Sequence, residues 1–435
     1  MIPQTSRTAA RCASVLLALL FLIPVALSAQ SGFYVRDKDT VVFYGDSITE
    51  QRLYTTFVET FIVTRYPQMT VKFVHSGWGG DRVTGGGGGQ IDERLKRDVI
   101  AYKPTVMTIM LGMNDGSYKA FDDAIFDRFK TGYEHILQVM KAAAPGLRIT
   151  LIQPSPYDDV IQEPTFPGGY NAVLLRYSQW LKEVAERNQM ATADMNLPLV
   201  EALKKAKELD AAGAKAIISD RIHPAAGGHL LMAACLLKAW GATPLVTSVE
   251  VEAASKRITK SQNTVVTGLA GDKTLTWTQK DGALPMPVNM RDPSMPQALR
   301  RAAATVDLAL KASDFMETLD QQTLLVRGLG GARYTLKING SPVGSFSRDQ
   351  LEKGINLAAL ATPMSAQAAA VHSLTMKRSD VHQLRWRQVQ MIYQPENILR
   401  LPAVLDNLDA IDDELAARQR AAAQPVACFY ELIPE

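Results

Sequence analysis

The sequence predicts an α/β protein with a mostly parallel sheet covered by helices on both faces, followed by a region of mixed α+β structure. Between about residues 41 and 240, short apolar runs alternate with helical stretches, which is typical of a parallel sheet buried between two helix layers. After about residue 248 this alternation stops, and strand-like segments and the Pro-rich loop 284–296 take its place. The length of 435 residues fits two or three domains.

The first region contains four predicted buried strands, at residues 41–44, 71–75, 105–111 and 148–153. The helices predicted between and after them lie at about 51–66, 122–143, 171–190, 198–212 and 225–240. In such sheets the reactive groups lie in loops beyond the carboxyl ends of the strands. We therefore expect Ser47 and the loops 76–89 and 112–117 to lie along one edge of the sheet.

The second region contains three segments that are typical of strands, at 273–279, 323–329 and 333–346. The last of them carries Asn339-Gly340, a strong hairpin-turn signal. Two helical segments are predicted, at 364–393 and 402–422. The predicted division of the chain is a first domain at 33–248, an accessory region at 249–400 and a helical tail at 401–435.

The acidic segment 405–420 has apolar residues at helical spacing, namely Leu405, Leu408, Ile411 and Leu415. Such a stripe is typical of a helix that packs one face on a larger surface. We expect this helix to pack on the protein's own surface, with a dimer contact as the alternative.

The N-terminus has the pattern of a secretory signal peptide over residues 1–29. Arg7 and Arg11 precede the apolar run Val15–Ala26, and Leu-Ser-Ala at 27–29 offers small residues for cleavage. The run is short for a membrane span, and an uncleaved N-terminal anchor is the alternative. No later segment has 18 unbroken apolar residues, so we expect a secreted or periplasmic protein without a membrane span in the mature chain.

Composition argues against a nucleic-acid partner. Without residues 1–29 the chain has 45 basic and 44 acidic side chains, so net charge offers no steering of polyanions. There is no long block of like charge. Beyond Cys12 of the signal region, only Cys235 and Cys428 remain. They could pair in an oxidising compartment or stay as buried free thiols.

One serine has the partners that nucleophilic catalysis needs. A serine hydroxyl is a weak nucleophile until a base takes its proton, and the base needs a third group to hold its tautomer. Ser47 follows the first strand, in the stretch VVFYGDSITE. Among the six histidines, His223 has the setting of a base, since it lies three residues after Asp220 and just before a predicted helix. Taken alone, this segment would more often be an N-cap aspartate beside a surface histidine.

An acyl-transfer site also needs hydrogen-bond donors for the oxyanion. The loop after the second strand contains Gly80, and the loop after the third contains Asn114. The N–H groups of Ser47 and Gly80 and the amide of Asn114 are the predicted donors. Each loop alone is equally consistent with a tight turn, and the joint occurrence of the two in this order favours the functional interpretation.

These segments resemble the four blocks of the SGNH (GDSL) hydrolase superfamily over about residues 38–245: Ser47 in GDSIT, Gly80 in the glycine block, Asn114 in GMND, and Asp220 and His223 in DRIH. The resemblance implies a flavodoxin-like three-layer α/β/α fold and ester hydrolysis through an acyl-serine intermediate, with no metal and no cofactor. One departure is His75-Ser76-Gly77, where many members have Asn-Arg-Gly or a similar triplet. No HExxH metal motif and no GxSxG elbow is present.

Four aromatic residues near the predicted site are candidates for substrate contact. Trp78 offers a platform for a sugar ring or packs against its own loop, and Tyr157, Phe166 and Tyr170 lie in the loop after the fourth strand. Five consecutive glycines, at 85–89, form either a mobile rim of the site or an entropic spacer.

The function predicted from the sequence is that of a secreted serine esterase, with a small-molecule or glycan ester as substrate and O-acetylated carbohydrate as the leading class. A lipase or lysophospholipase-type esterase is the enzymatic alternative. A glycan-binding protein with a vestigial hydrolase site, in which residues 249–435 bind the glycan, is the alternative from another class. The sequence does not predict an oligomeric state.

Overall fold

The computed structural model describes residues 32–435, so the predicted signal peptide lies outside the described residues. A parallel five-stranded sheet forms its centre, in the order β2-β1-β5-β6-β7. Counted within this sheet alone the order is 2-1-3-4-5, which is the flavodoxin-like arrangement and confirms the predicted fold class. The strands of the first region are β1 (Thr40–Gly45), β2 (Lys72–Gly77), β3 (Gly85–Gly86), β4 (Gly89–Gln90), β5 (Val106–Met110), β6 (Arg148–Gln153) and β7 (Ala191–Asp194).

Helices cover both faces of this sheet. The inner strands β1, β5 and β6 are mostly apolar because both faces of the sheet are buried; in β1, all residues from Val41 to Tyr44 are fully buried. The helices of the first region are α1 (Ser47–Glu50), α2 (Leu53–Arg65), α3 (Ile91–Asp98), α4 (Asp123–Ala143), α5 (Gly169–Arg187), α6 (Leu197–Leu209), α7 (Ala211–Lys215) and α8 (Ala226–Ala239), with a 3₁₀ turn at Ile100–Tyr102. Tyr54 of α2 stacks on His229 of α8, and Phe129 of α4 packs on Tyr177 of α5.

The second region is built around two facing sheets. One has the order β15-β12-β8-β9 and the other the order β10-β11-β16-β13-β14. Their strands are β8 (Leu245–Glu252), β9 (Arg257–Gln262), β10 (Thr264–Ala270), β11 (Leu275–Asp281), β12 (Gln321–Arg327), β13 (Arg333–Ile338), β14 (Ser341–Ser347), β15 (Ile355–Asn356) and β16 (Ala427–Pro434). Buried side chains from both sheets form one core, in which Trp277 stacks on Tyr430 at 5.0 Å between ring centroids.

Helices complete this region. They are α9 (Gln297–Arg301), α10 (Ala303–Lys311), α11 (Phe315–Leu319), α12 (Arg348–Lys353), α13 (Pro363–Gln383), α14 (Met391–Tyr393) and α15 (Leu401–Ala422), with a 3₁₀ turn at Leu357–Ala359 and a π-helical segment at Leu384–Gln390. The last helix packs along α13, although Ile411 stays 47% exposed. The predicted stripe is therefore only partly covered by the protein's own surface.

The predicted helical tail over 401–435 is wrong at its end. Residues Ala427–Pro434 form β16, which lies in the middle of the five-stranded antiparallel sheet. Cys428, Tyr430 and Leu432 are buried on one face of this strand, which is the period of two expected of a half-buried strand.

The predicted domain boundary at 248/249 also needs correction, because it falls inside β8. Moreover, the chain returns to the core of the first region after β11. Residues from this return that are buried in that core include Met286, Met290, Met295, Val306 and Phe315. The core of the first region therefore includes side chains from beyond the predicted boundary, so no single boundary divides the chain into two domains.

A buried polar cluster joins the C-terminal helices to the first region. Glu59 of α2 accepts hydrogen bonds from Arg378 (2.7 Å) and Gln419 (2.9 Å), and its other carboxylate oxygen lies 3.3 Å from His75 Nε2. Burial opposes ionisation of Glu59, but the Arg378 guanidinium and these hydrogen bonds hold its pKa below the usual value. Helix α13 is thereby fixed beside the carboxyl end of β2.

Cys235 and Cys428 are both free thiols, so the pairing considered above does not occur. Within residues 32–435, no helix is long and apolar enough to cross a membrane.

Candidate active site

Ser47 stands at a sharp strand-to-helix turn. A Cβ atom at Gly45 would lie 2.2 Å from Thr49 Oγ1 and 2.8 Å from the Met110 carbonyl oxygen, so only glycine fits at the end of β1. The next residue, Asp46, is fully buried and accepts a hydrogen bond from the Ile48 N–H (3.0 Å), which caps α1. Burial raises the pKa of Asp46 to about 7. This carboxyl group therefore has a structural role, and the partly exposed Ser47 hydroxyl is left as the candidate nucleophile.

The structure brings Ser47, His223 and Asp220 together in one hydrogen-bonded row. The Ser47 Oγ lies 2.8 Å from His223 Nε2, and His223 Nδ1 lies 2.7 Å from Asp220 Oδ2. An ionised Asp220 accepts the Nδ1 proton, so Nε2 is left to accept the proton of the serine hydroxyl. This is the arrangement of nucleophile, base and orienting carboxylate.

Asp220 is held by more than the imidazole ring. Its Oδ1 accepts hydrogen bonds from the N–H groups of His223 (2.8 Å) and Ile222 (3.0 Å). Partial burial opposes ionisation, but these hydrogen bonds and the one to the ring keep the pKa of Asp220 below its ordinary value. The carboxylate is therefore ionised at neutral pH and fixed relative to the ring that it orients.

The predicted oxyanion donors lie on two loops that bond to each other. The Trp78 N–H donates to the Gly45 carbonyl (3.0 Å), which ties the Gly80 loop to the end of β1. Gly80 has φ +76°, in the region that favours glycine. The Asn114 Nδ2 donates to the Asp81 carbonyl oxygen (3.0 Å), and its second amide proton is available for a ligand.

Tyr118 is a site residue that the sequence interpretation missed. Its hydroxyl donates to Asn114 Oδ1 (2.7 Å) and so fixes which end of the amide points to its donor position. Ser117 and Tyr118 both have positive φ, and this tight turn returns the ring to Asn114. No motif in the sequence signals it, because the contact depends on the turn conformation.

The four candidate substrate residues differ in burial and in their contacts. Tyr170 is fully buried and donates to the Met113 carbonyl (2.6 Å), so the prediction of substrate contact is wrong for it. Tyr157 is also buried and packs edge-on against Tyr170. Phe166 is half-buried against the first core. The guanidinium of Arg387 lies 3.3 Å from the centroid of one Trp78 ring, so that ring face is closed to a sugar.

The five glycines form a close-packed turn, the β3–β4 hairpin. A Cβ atom at Gly88 would lie 2.6 Å from Trp78 Cδ2 and 2.8 Å from Arg94 Cδ. At Gly85, which has φ +86°, it would lie 2.3 Å from the Gly89 carbonyl. Gly88 thus allows close contact with Trp78, and Gly85 allows the tight turn. Neither the mobile rim nor the entropic spacer of the sequence analysis includes this packing.

A cleft of about 410 Å³ opens at the row of catalytic candidates, and all of its lining residues are polar: Ser47, Glu50, Gln51, Asp220 and His223. The Gln51 side chain is fixed by His229, whose Nε2 lies 2.8 Å from Gln51 Oε1 and whose Nδ1 accepts the Tyr54 N–H (3.2 Å). Burial lowers the pKa of His229 to about 3, which keeps the ring neutral. Glu50 and Gln51 lie three and four positions after Ser47, and no motif in the sequence marks them.

Residues 43–231 match the sequence model of the GDSL-like lipase/acylhydrolase family. Those residues include Ser47, the Gly80 and Asn114 loops, and the Asp220–His223 pair. They form a GDSL-like lipase/acylhydrolase domain. Within residues 32–435, no group of three or more His, Cys, Asp or Glu side chains is placed to hold a metal ion.

Known proteins resemble the chain in sequence and in structure. An acetylxylan esterase from Geobacillus stearothermophilus is 24% identical over 225 residues, which is 47% of this chain and 94% of that protein. The crystal structure of an acetylxylan esterase from the same organism covers 48% of this chain and 96% of its own, with a TM-score of 0.40.

The C-terminal region has a solved counterpart as well. A gut microbial diltiazem-metabolizing enzyme is 25% identical, with a TM-score of 0.79 over 92% of this chain and 98% of that one. The similarity therefore extends from the GDSL-like domain through the two-sheet region, and the two regions occur together in another protein.

Proposed function

We propose that the protein is a secreted serine esterase that removes O-acetyl groups from carbohydrate through an acyl-serine intermediate. The observation that carries the proposal is the hydrogen-bonded row from Asp220 through His223 to Ser47, with distances of 2.7 and 2.8 Å. A vestigial site has no reason to keep all three side chains in register, so this geometry favours catalysis over a purely glycan-binding role.

In the first half-reaction, His223 Nε2 takes the proton of the Ser47 hydroxyl while Oγ attacks the ester carbonyl carbon. The new C–O bond pushes an electron pair onto the carbonyl oxygen. The N–H groups of Ser47 and Gly80 and the free proton of Asn114 Nδ2 stabilise that oxyanion. As the tetrahedral intermediate collapses, the ester C–O bond breaks and the alcohol leaves with the proton from His223.

In the second half-reaction, water replaces the alcohol. His223 takes a proton from the water as its oxygen attacks the acyl-serine carbonyl, and the same donors stabilise the second oxyanion. Collapse breaks the bond to Ser47 Oγ, which recovers its proton from His223. Asp220 stabilises the charged imidazole in both halves without itself being protonated.

The chemistry of the cleft supports a hydroxylated alcohol. Glu50 and Gln51 line it beside the catalytic candidates, and such side chains can hydrogen-bond to sugar hydroxyls. Within the part of the chain that the structure describes, no large apolar side chain lines the cleft beside them. The similarity to an acetylxylan esterase points to the same substrate class. The signal-like pattern of residues 1–29 supports secretion.

Acyl-chain selectivity tests this proposal. We expect kcat/KM on p-nitrophenyl esters to be highest for acetate and to fall steeply toward laurate, because no large apolar side chain among residues 32–435 lines the cleft. Acetate release from an acetylated xylooligosaccharide should accompany it. Activity that rises with chain length, with no release from the sugar, would instead indicate the lipid esterase.

A further inference from the structure

The helix that follows the two-sheet region changes its geometry where it meets the GDSL-like domain. Between α13 and α14, residues Leu384–Gln390 form a π-helical segment. Such segments are rare and occur frequently at functional sites. This one places two consecutive side chains, Trp386 and Arg387, against the loop that follows β2.

Trp386 closes a buried ionic network. It is 1% exposed, and its Nε1–H donates to Asp98 Oδ1 (2.7 Å). Asp98 pairs with Arg94, whose Nε donates to Asp81 Oδ2 (2.8 Å). The side chains of Asp81, Arg94 and Asp98 are all 0% exposed. Charges buried this deeply are held in place by their partners, so removal of a partner destabilises the arrangement.

This network ends at the predicted oxyanion donors. Asp81 follows Gly80 in the chain, and its carbonyl oxygen accepts the hydrogen bond from Asn114 Nδ2 (3.0 Å). A continuous series of contacts therefore leads from Trp386, through Asp98, Arg94 and Asp81, to Gly80 and Asn114.

Arg387 acts on the other side of the same loop. Its Nη1 donates to Glu50 Oε1 (2.7 Å), and its guanidinium covers a Trp78 ring at 3.3 Å from the centroid. A Cβ atom placed at Gly79 would lie 2.8 Å from Glu50 Oε2 and 3.9 Å from Ser47 Cβ. The Arg387–Glu50 ion pair thus borders the loop directly beside the nucleophile.

We propose that the π-helical segment Leu384–Gln390 holds the loop of residues 78–81, and with it the Gly80 N–H and the Asn114 amide, in the geometry that stabilises the oxyanion. Trp386 and Arg387 are its positioning residues. This inference rests on the proposed esterase function. It makes the C-terminal region a part of the catalytic unit.

The physical basis is that oxyanion donors act only where charge develops, so a displacement of a fraction of an ångström lowers the rate while leaving substrate binding largely unchanged. A misplacement of 1 Å costs about 100-fold. Loss of a positioning contact should consequently appear in kcat and not in KM.

The test measures kcat and KM on p-nitrophenyl acetate for the full-length protein and four variants. Trp386→Phe keeps a ring and removes the N–H donor, and Arg387→Ala removes the ion pair and the stacking. We expect each to lower kcat about 10- to 100-fold with KM within about twofold of wild type. Arg387→Lys keeps the charge without the planar contact and should fall between Arg387→Ala and wild type.

The matched control is Arg385→Gln, in the same π-helical segment. Arg385 donates to Asp409 of α15 (2.9 Å) and to Gln390 of its own segment (2.9 Å), and it has no hydrogen bond to the loop of residues 78–81. This variant should therefore keep kcat within about twofold of wild type. Folded Trp386→Phe and Arg387→Ala proteins with kcat within twofold of wild type would overturn the inference, as would a change in KM alone. If Trp386→Phe does not fold, the kcat of Arg387→Ala still tests the inference, because Arg387 is partly exposed and its loss should leave the fold intact. An inactive wild-type protein would refute the proposed esterase function, which is distinguishable from variants that keep the wild-type kcat.

Discussion

Ser47→Ala is expected to lower kcat on p-nitrophenyl acetate on the order of 10⁶-fold, because only substrate binding and the oxyanion donors then remain. The variant loses the oxygen that forms the acyl intermediate, and no neighbouring group replaces it. Asp46, which is adjacent, is fully buried and caps α1. Steady-state kinetics on the purified variant measures the effect.

The fold should be unaffected by this change. Helix α1 is capped by Asp46, not by Ser47, and the Ser47 hydroxyl bonds only at the cleft, so the thermal midpoint should stay within about 2 °C of wild type. The matched control is Ser178→Ala, which removes a buried hydroxyl without a hydrogen-bond partner in α5 and should keep full activity. Turnover near the wild-type value in Ser47→Ala would refute the serine mechanism.

Asp220→Asn is expected to lower kcat about 10⁴-fold while the protein stays folded. The amide retains the shape of the carboxylate, but its nitrogen cannot accept the His223 Nδ1 proton, so the ring is driven toward the wrong tautomer. The pKa of Asp220 lies below its ordinary value, so wild type keeps this charge down to acidic pH. Substitution of Asp220 is therefore the direct way to remove its negative charge near pH 7.

A second histidine–aspartate pair supplies the control. His135 Nε2 lies 2.6 Å from Asp92 Oδ1, with both side chains exposed, and neither lines the cleft. Asp92→Asn should keep kcat within about twofold of wild type. Equal losses in Asp220→Asn and Asp92→Asn would show that a general charge effect, and not the orientation of His223, explains the first result.

The first region could be predicted because its signals are local. Continuous apolar runs mark β1, β5 and β6, and the helices between them have clear periodicity. The short strand β7 was missed because its four residues, Ala-Thr-Ala-Asp, lack the apolar run of a buried strand. The exposed strands β9 and β10 were missed for a related reason, since few of their side chains are buried.

The end of the chain is a different case. Alternation of buried and exposed residues in β16 is visible in the sequence, yet its partners β11 and β13 lie about 100 to 150 positions earlier. No local pattern predicts that a C-terminal strand inserts between them. The same holds for the return of residues such as Met286 and Phe315 to the first core.

The catalytic candidates could be predicted because each lies in a short motif after a strand. Their supporting residues could not. Tyr118 acts through a turn with positive φ, and Trp386 and Arg387 lie more than 300 positions from the loop that they contact. Such contacts depend on how the two regions pack, which spacing in the sequence does not encode.

Covalent labelling tests the central claim most directly. Full-length wild-type protein is treated with a fluorophosphonate, digested, and mapped by mass spectrometry, with Ser47→Ala treated in parallel. An activated serine beside a base and oxyanion donors should carry a single modification on Ser47, and the variant should carry none. A folded wild-type protein that stays unlabelled, or one labelled at another residue, would contradict the account.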